Sequence, residues 1–476
     1  MVVVDAGSSG SRVFLYRWMA RGGALPQLEL MQSRDGGNLV LKVEPGLSAF
    51  KGRPAEAVDS LLPLVQFAGT HIAPSLRART PLYVLATAGL RMLDAAHTDE
   101  ILQALQTLLP RHTSFRVEPD HVRLLSGQQE GLASWLAVNF VAQRLGAAGS
   151  RPDTVGSLDM GGGSAQIAFE VAGTPEAAAA PNVETIDLTP PGAARPVHYH
   201  VYVQTLLGFG ANKARARYVR WLRQTNAAQD PCLPVGMPND WEAQLPEYQP
   251  VVGSGRFLQC RKAVTRLFYD DSDSCGQAVC SVRQLPRPPI PGNMTWFGFS
   301  EYYYTHFDVF GLSGRHNADE FMQRALAFCG TEWTELAAQY AQGLYPNAQP
   351  HRFHHQCFKS AWMSGMLHHA YQIPQNASLV VTKLLRGVEV QWTMGMAVLL
   401  ALQQQRARQS RPASLPLNWL FESSVSLALA LLLVVLVALG AYRWRMRLTK
   451  LLNCCGAASC YRRYNFDTPP SVNFMV

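Results

Sequence analysis

Charged side chains are scarce in this chain, at 16% of its 476 residues, and most of the +8 surplus sits at one end. Residues 443–476 carry Arg443, Arg445, Arg447, Lys450, Arg462 and Arg463 against Asp467. That net of +5 leaves +3 for everything before it, so a basic nucleic-acid-binding face is not indicated. Zinc-type spacing is missing too, since no cysteine pair combines a short gap with matching histidines. No leader precedes the first strand-like run, which begins right after Met1. What the chain does have is 48% hydrophobic residues, enough for more than one core and too many for a disordered protein.

One uncharged stretch, SVSLALALLLVVLVALGAY at residues 424–442, is followed at once by RWRMRLTK. At ~1.5 Å per residue it reaches about 28 Å, the thickness of a hydrocarbon core. Basic residues at one flank place that flank in the cytosol. The expectation is a transmembrane helix at 424–442, a stalk at 409–423, a cytosolic tail at 443–476, and a lumenal or extracellular remainder. Cysteine usage agrees. Six cysteines precede the span, an even number suited to disulfides, and six permit 15 pairings. Chain order favours Cys232–Cys260, Cys275–Cys280 and Cys329–Cys357, with crossed pairs still open. Cys454, Cys455 and Cys460 are juxtamembrane palmitoylation candidates. Asn293 and Asn376 each open a glycosylation sequon. A lumenal domain needs an entry signal, so the natural N-terminus is expected upstream of Met1.

The chain repeats itself at an offset of 154 residues. VVVDAGSSGSRVFLYRW at 2–18 aligns with VGSLDMGGGSAQIAFEV at 155–171. Asp5 falls on Asp159, Gly7 on Gly161, and Arg12 on Gln166. Each copy reads as strand, Asp-x-Gly, small-residue turn, strand. Two glycine-rich hairpins can look alike by chance, but matching acids and flanks favour a duplicated domain. Between the copies the pattern is mixed α/β. Residues 81–93 read as strand, turn and helix start, and 99–110 and 130–145 as helices. Residues 171–196 read as a loop or insertion.

Small-residue turns let backbone N–H groups approach a phosphate without side chains in the way. Two such turns can hold a polyphosphate from both sides. A carboxylate beside each, Asp5 and Asp159, would repel the anion unless a divalent cation lay between, held partly through water. In ATAGLR (86–91), Thr87 offers a hydroxyl and Arg91 a charge, but a capped strand-to-helix junction accounts for both. In SGQQEG (126–131), Ser126 and Gln129 form a capping box, and Glu130 reads as a first-turn acid unless it faces the turns. There it would serve as a general base.

DAGSSGSR, ATAGLR, SGQQEG and DMGGGSAQ, in this order and spacing, resemble the nucleoside triphosphate diphosphohydrolases, the apyrase-like GDA1/CD39 family. LGFGANKAR (207–215), GFSEYYYT (298–305), CFKSAW (357–362) and VQWTMG (390–395) extend the likeness, which is greatest to the Golgi and lysosomal uridine-diphosphatase-like branch. The resemblance implies an α/β fold of two actin-like (ribonuclease H-like) domains with nucleotide in the cleft between them. Their expected limits are 1–126 for the first part of domain I, 127–384 for domain II, and 385–408 for a return to domain I. It implies Glu130 as the base, Ser164 and Gln166 placing the attacking water, and Thr87 and Arg12 contacting phosphate. Ser8, Ser9, Gly10, Ser11, Gly161, Gly162 and Gly163 match the phosphate loops. Asp5 and Asp159 match acids that hold Ca2+ or Mg2+ through water. Tyr304 matches an aromatic that stacks on the base, with Tyr302 and Tyr303 beside it on a strand whose faces alternate. Trp392 matches a family tryptophan, and the base-contacting arginine of the cell-surface enzymes has no counterpart around Asn212.

The expected function is therefore a membrane-anchored, divalent-metal-dependent hydrolase of nucleoside di- and triphosphates. UDP and GDP are the first candidates, with ATP and CTP after them. The expected place is the lumen of Golgi, lysosome or another endomembrane organelle, with the cell surface as the alternative, and oligomers are compatible with it. The competing readings are an exopolyphosphatase or guanosine-pentaphosphatase, a sugar kinase of the same fold, and a non-catalytic actin-like binding protein.

Overall fold

A computed structural model of the chain describes residues 1–146, 153–171, 173–243, 248–268, 288–409 and 424–453. Met1–Ala407 form one compact unit, and the chain from Arg408 onward forms a second.

Two mixed sheets organise the first unit. One has the strand order β3-β2-β1-β5-β6, with β4 also on β2. Its strands are β1 Val2–Ala6, β2 Ser11–Arg21, β3 Ala24–Leu30, β4 Val40–Val43, β5 Leu82–Ala86 and β6 Val122–Leu124. The other sheet draws on β7 Gly156–Met160, β8 Ser164–Glu170, β9 Val183–Leu188, β10 Val197–Leu207, and, beyond the two-residue β11 Gln229–Asp230 and β12 Val252–Gly253, β13 Thr295–Ser300, β14 Gly314–Arg315 and β15 Ser378–Val381. Its order is β14-β15-β13-β7-β8-β10-β9.

The sequence repeat is a structural repeat. β1 pairs antiparallel with β2 so that Asp5 faces Arg12, and β7 pairs antiparallel with β8 so that Asp159 faces Gln166. Each leading strand also pairs parallel with a later one, β1 with β5 and β7 with β13. Helices Ala88–Arg91 and Glu301–Phe307 leave the ends of those later strands. The duplicated unit thus includes the strand-to-helix junctions at Thr87 and Ser300.

Three cores follow from the period-two alternation of the strands. Val2, Val4 and Ala6 pack with the helices Pro54–His71 and Ala95–Leu108 on one face of the first sheet. Leu158 and Met160 pack with Ala211–Gln224, Phe257–Arg266, Ala318–Gly330 and Gln356–Gly365 on one face of the second. The opposite faces share a middle core that holds Val3, Phe14, Ala168, Val203 and Phe299. Helices Gly127–Val141 and Trp392–Gln409 lie in that layer. They touch at Gly395, where a Cβ would lie 1.9 Å from the Ala133 carbonyl oxygen, so only glycine permits the approach. Alternation puts Asp5 and Asp159 on the inner faces. Ser157, two residues before Asp159, confirms this with an Oγ–Oγ hydrogen bond of 2.7 Å to Ser134 of the middle helix.

Several sequence expectations need correcting. Residues 171–196 are not only loop, since they contain helix Pro175–Ala178 and edge strand β9. Helix Trp392–Gln409 reaches the first residue of the expected stalk, and the rest of that stalk, 410–423, lies outside the described residues. The tyrosine trio lies on helix Glu301–Phe307, not on a strand. Ser300, at φ +55°, turns the chain out of β13 just before it. Cys232–Cys260 and Cys329–Cys357 are disulfides as expected from chain order. Cys275, Cys280, Cys454, Cys455 and Cys460 lie outside the described residues. Both sequon asparagines are exposed.

The second unit contains the helix Ser424–Asn453, which takes in the expected span. Among the described residues, however, no helix is long and apolar enough to cross a membrane.

Candidate active site

The two duplicated turns meet. Each closes the same way, with a bond from Gly7 N–H to the Gly10 carbonyl (3.0 Å) and from Gly161 N–H to the Ser164 carbonyl (3.0 Å). A Cβ on Gly162 would lie 3.0 Å from Ser8 Oγ, and one on Gly163 would lie 3.1 Å from Ser8 Cβ and 2.9 Å from Ala88 Cβ. The second turn is braced by helix Ala211–Gln224, which has no side-chain cap. Its leading N–H groups, from Ala211, Asn212 and Lys213, go instead to the carbonyls of Gly161 and Gly162. Orphan donors of a helix N-terminus are thereby satisfied, and the turn's carbonyls are drawn to that side. Among the described residues, the N–H groups of Ser8, Ser9, Gly162 and Gly163 have no backbone acceptor. They are the free donors that an anion requires.

A cavity of about 420 Å³ opens over these turns. Of the residues expected at the site, it is lined by Asp5, Ser8, Ser9, Gly10, Arg12, Thr87, Glu130, Asp159, Gly161, Gly162, Gly163, Ser164 and Tyr304. Two expected residues stand back from it. Ser11 is buried on β2 with no partner for its hydroxyl. Gln166, also buried, acts through its neighbour, donating from Nε2 to Ser164 Oγ at 2.9 Å. Thr87 occupies the cap position of its short helix but makes no capping bond.

Glu130 resolves both of its sequence readings. The capping box of Ser126 and Gln129 is present, and the next residue projects its carboxylate into the cavity. Arg91, which a plain junction explained equally well, proves to be part of the same cluster. Its Nη2 donates to Glu130 Oε2 at 2.5 Å and to Ser164 Oγ at 3.3 Å. Sequence offered little sign of this, because the pairing joins residues 39 and 73 positions apart. Other wall residues passed over in the sequence are Lys42 and Glu44, which pair with each other, and Glu301, His351, Arg352 and His355. Trp392 lines the cavity and hydrogen-bonds Asp5 with its side chain.

The electrostatics are those of acids short of counter-charge. Burial pushes Asp5 up to about 7; Arg12 opposes the rise and Asp159 adds to it. Burial likewise pushes Glu130 up to about 7, against Arg91 and with help from both aspartates. Asp159 is raised by burial despite a bond from Ser300 and the charge of Arg12. A cluster of buried carboxylates beside anion-binding turns is a hard-oxygen environment suited to a divalent cation. Asp5, Glu130 and Asp159 do not together bring three ligand atoms within 4.8 Å of one another. Among the described residues only Glu118, Asp120 and His121 bring three ligand atoms within 4.8 Å of one another, and none of them lines the cavity.

Residues 1–413 match the model of the GDA1/CD39 (nucleoside phosphatase) family. The nucleoside-diphosphatase mig-23 of Caenorhabditis elegans is 33% identical over 424 residues, which cover 83% of this chain and 76% of the relative. Human ectonucleoside triphosphate diphosphohydrolase 4 is 35% identical over 444 residues, covering 83% and 71%. Among solved structures, a nucleoside triphosphate hydrolase of Neospora caninum superposes with a TM-score of 0.60 at 15% identity, covering 86% of this chain and 93% of that one. At that identity the superposition speaks for the fold alone.

Proposed function

Since the chain belongs to the GDA1/CD39 family of nucleoside phosphatases, and so is a phosphoanhydride hydrolase, we propose that it removes the terminal phosphate of nucleoside di- and triphosphates by in-line attack of water. UDP and GDP are the first substrates to test, followed by ATP and CTP. One observation carries the reading: Arg91 joins Glu130 to Ser164 at the place where the two phosphate turns meet.

Each residue then has a physical task. The free N–H groups of the two turns hold the non-bridging phosphate oxygens, and Arg12 and Thr87 add charge and a hydroxyl. Ser164, fixed by Arg91 and Gln166, orients the water. Glu130 takes its proton. A carboxyl near 7 is well matched to that task, because a base works best with a pKa close to the working pH. Arg91 keeps the carboxylate aimed and lowers the cost of its charge in a buried place. No covalent intermediate is needed. Ca2+ or Mg2+, held through water by Asp5 and Asp159, supplies neutralisation of phosphate charge when bound. We read the halves as two actin-like domains, dividing near Gly127 and rejoining after residue 384, a reading supported by the repeated hairpins and the shared middle core.

The uncharged run at 424–442 with its basic flank supports membrane anchoring, with the catalytic unit lumenal. Two disulfides and two exposed sequons support the same side. Phosphate release from UDP, GDP, ATP and inorganic polyphosphate, each with Ca2+, Mg2+ or EDTA, tests the activity. The expected result is cation-dependent release from the nucleotides. Turnover indifferent to EDTA, or confined to polyphosphate, would refute the proposal.

A further inference from the structure

A second group of ligating side chains lies outside the cleft, in the turn Glu118-Pro119-Asp120-His121 that leads into β6, the edge strand of the first sheet. His121 is its fixed member, with 3% of its side chain exposed. The His121 Nδ1 lies 3.2 Å from the Arg116 carbonyl oxygen, and the Tyr83 ring packs on the imidazole with 4.2 Å between centroids. Gln106 of helix Ala95–Leu108 pins the backbone of the turn, donating from Nε2 to the carbonyls of Pro119 (3.3 Å) and Val122 (3.0 Å). A carbonyl can only accept, so Nδ1 carries the ring proton and the neutral ring keeps its lone pair at Nε2.

That lone pair faces acid. Nε2 lies 3.6 Å from Glu118 Oε2, beyond hydrogen-bond distance. Burial pushes the imidazole below its ordinary range, against the pull of Asp120 and Glu118, so a proton is a poor bridge between ring and carboxylate. A cation that accepts the lone pair and both acids is a better one. The outer bond from Nδ1–H to a carbonyl is also how metal-binding histidines are held, since it sets the tautomer and aims the free nitrogen. One ligand atom from each of Glu118, Asp120 and His121 lies within 4.8 Å of the others. Ligands roughly 2 Å from a zinc ion in a tetrahedral array stand about 3.3 Å apart. The 3.6 Å pair therefore needs almost no adjustment, and both carboxylates are on exposed residues that can turn inward. Their competitor is Arg116, whose Nε is 3.7 Å from Glu118 Oε1 in an exposed pair of little strength.

We propose that Glu118, Asp120 and His121 form a zinc site at the edge of the first sheet, with water completing the shell, separate from the divalent cation of the cleft. The imidazole nitrogen selects Zn2+ over Mg2+ and Ca2+, which prefer shells of oxygen alone. Bound there, the ion ties the turn to the imidazole that Tyr83 and the Arg116 carbonyl hold against the sheet. Its task is to stabilise that edge, and it takes no part in hydrolysis.

The test is calorimetric titration of the full chain with Zn2+ in buffer containing excess Mg2+. The exposed acids are the ones to change, because Glu118→Gln with Asp120→Asn leaves the buried histidine and the fold in place. Zinc affinity should fall at least tenfold in that double variant, as loss of a ligand costs no less than loss of its outer partner. Zn2+ should raise the Tm of the wild type and leave that of the double variant unmoved. Phosphate release from UDP in Mg2+ should stay within about twofold of wild type in the double variant. Asp5→Asn with Asp159→Asn removes acids of the cleft and should keep the zinc affinity. Equal zinc affinity in the wild type and in Glu118→Gln with Asp120→Asn overturns the proposal. So does zinc binding that disappears with Asp5 and Asp159, which assigns the ion to the cleft, or a wild type that binds Mg2+ at this turn as tightly as Zn2+.

Discussion

Replacing Arg91 by methionine keeps most of its volume and removes its charge. Arg91 is the only described side chain that donates to Glu130, and it does so at 2.5 Å with 11% of its side chain exposed. A buried hydrogen bond between two charged groups contributes roughly 1.5–3 kcal/mol. All of it favours the ionised carboxylate, so its loss raises the pKa of Glu130 by about one to two pH units. Burial already places that carboxyl near 7 with Arg91 present. The acidic limb of the kcat/KM profile should therefore move from about 7 to about 8–9 in Arg91→Met. Activity at neutral pH should drop by roughly fivefold to fiftyfold and recover in part in alkaline buffer. A bound cation lowers the limb in both proteins and leaves the difference. Phosphate release from UDP between pH 5.5 and pH 9.5 is the assay. A uniform loss with an unmoved limb would refute the reasoning and reduce Arg91 to a structural brace.

The same buried acids set a stability trend in the absence of divalent ions. Asp5 and Glu130 have folded-state pKa values raised to about 7, above their ordinary range near 4, so their protonated forms favour the fold. That contribution is complete below pH 4 and is lost as the pH rises towards 7. Melting in EDTA should give a Tm that falls from pH 5 to pH 7.5 in the wild type and falls less in Asp5→Asn; parallel curves would contradict the burial argument. For the membrane proposal, the full chain should float with phosphatidylcholine vesicles and come off only in detergent, whereas a chain ending at Ala407 should stay in the aqueous fraction. Recovery of the full chain in buffer without detergent would argue against an anchor.

Much of the site was legible because it is local. The Asp-Gly hairpins repeat within seventeen-residue windows, and strand alternation alone sends both aspartates inward. What could not be read are the contacts made across the fold. Arg91 looks like an ordinary junction residue until helix Gly127–Val141 brings Glu130 to it. Arg352 has no motif around it, and only the packing of its helix against Glu301–Phe307 places it on Tyr304. The tyrosine trio misled for a chemical reason. Consecutive aromatics favour a strand on propensity, but Ser300 breaks β13 with a positive φ and starts a helix there. On that helix Tyr302 is buried, Tyr303 stacks on Phe307, and Tyr304 reaches the cleft. Of the three, Tyr304 alone lines the cavity. A Cβ at Gly163 would press on Ala88 and Ser8 where the two turns meet.

The central claim is that Glu130 takes the proton from the attacking water while the turns hold phosphate. Glu130→Gln keeps the shape and the Arg91 contact but cannot accept that proton. UDP binding by calorimetry and phosphate release in the same Ca2+ or Mg2+ buffer should show affinity within about threefold of wild type and turnover reduced by roughly 10²–10⁴-fold, the usual contribution of a general base. Turnover close to wild type in Glu130→Gln would contradict the account.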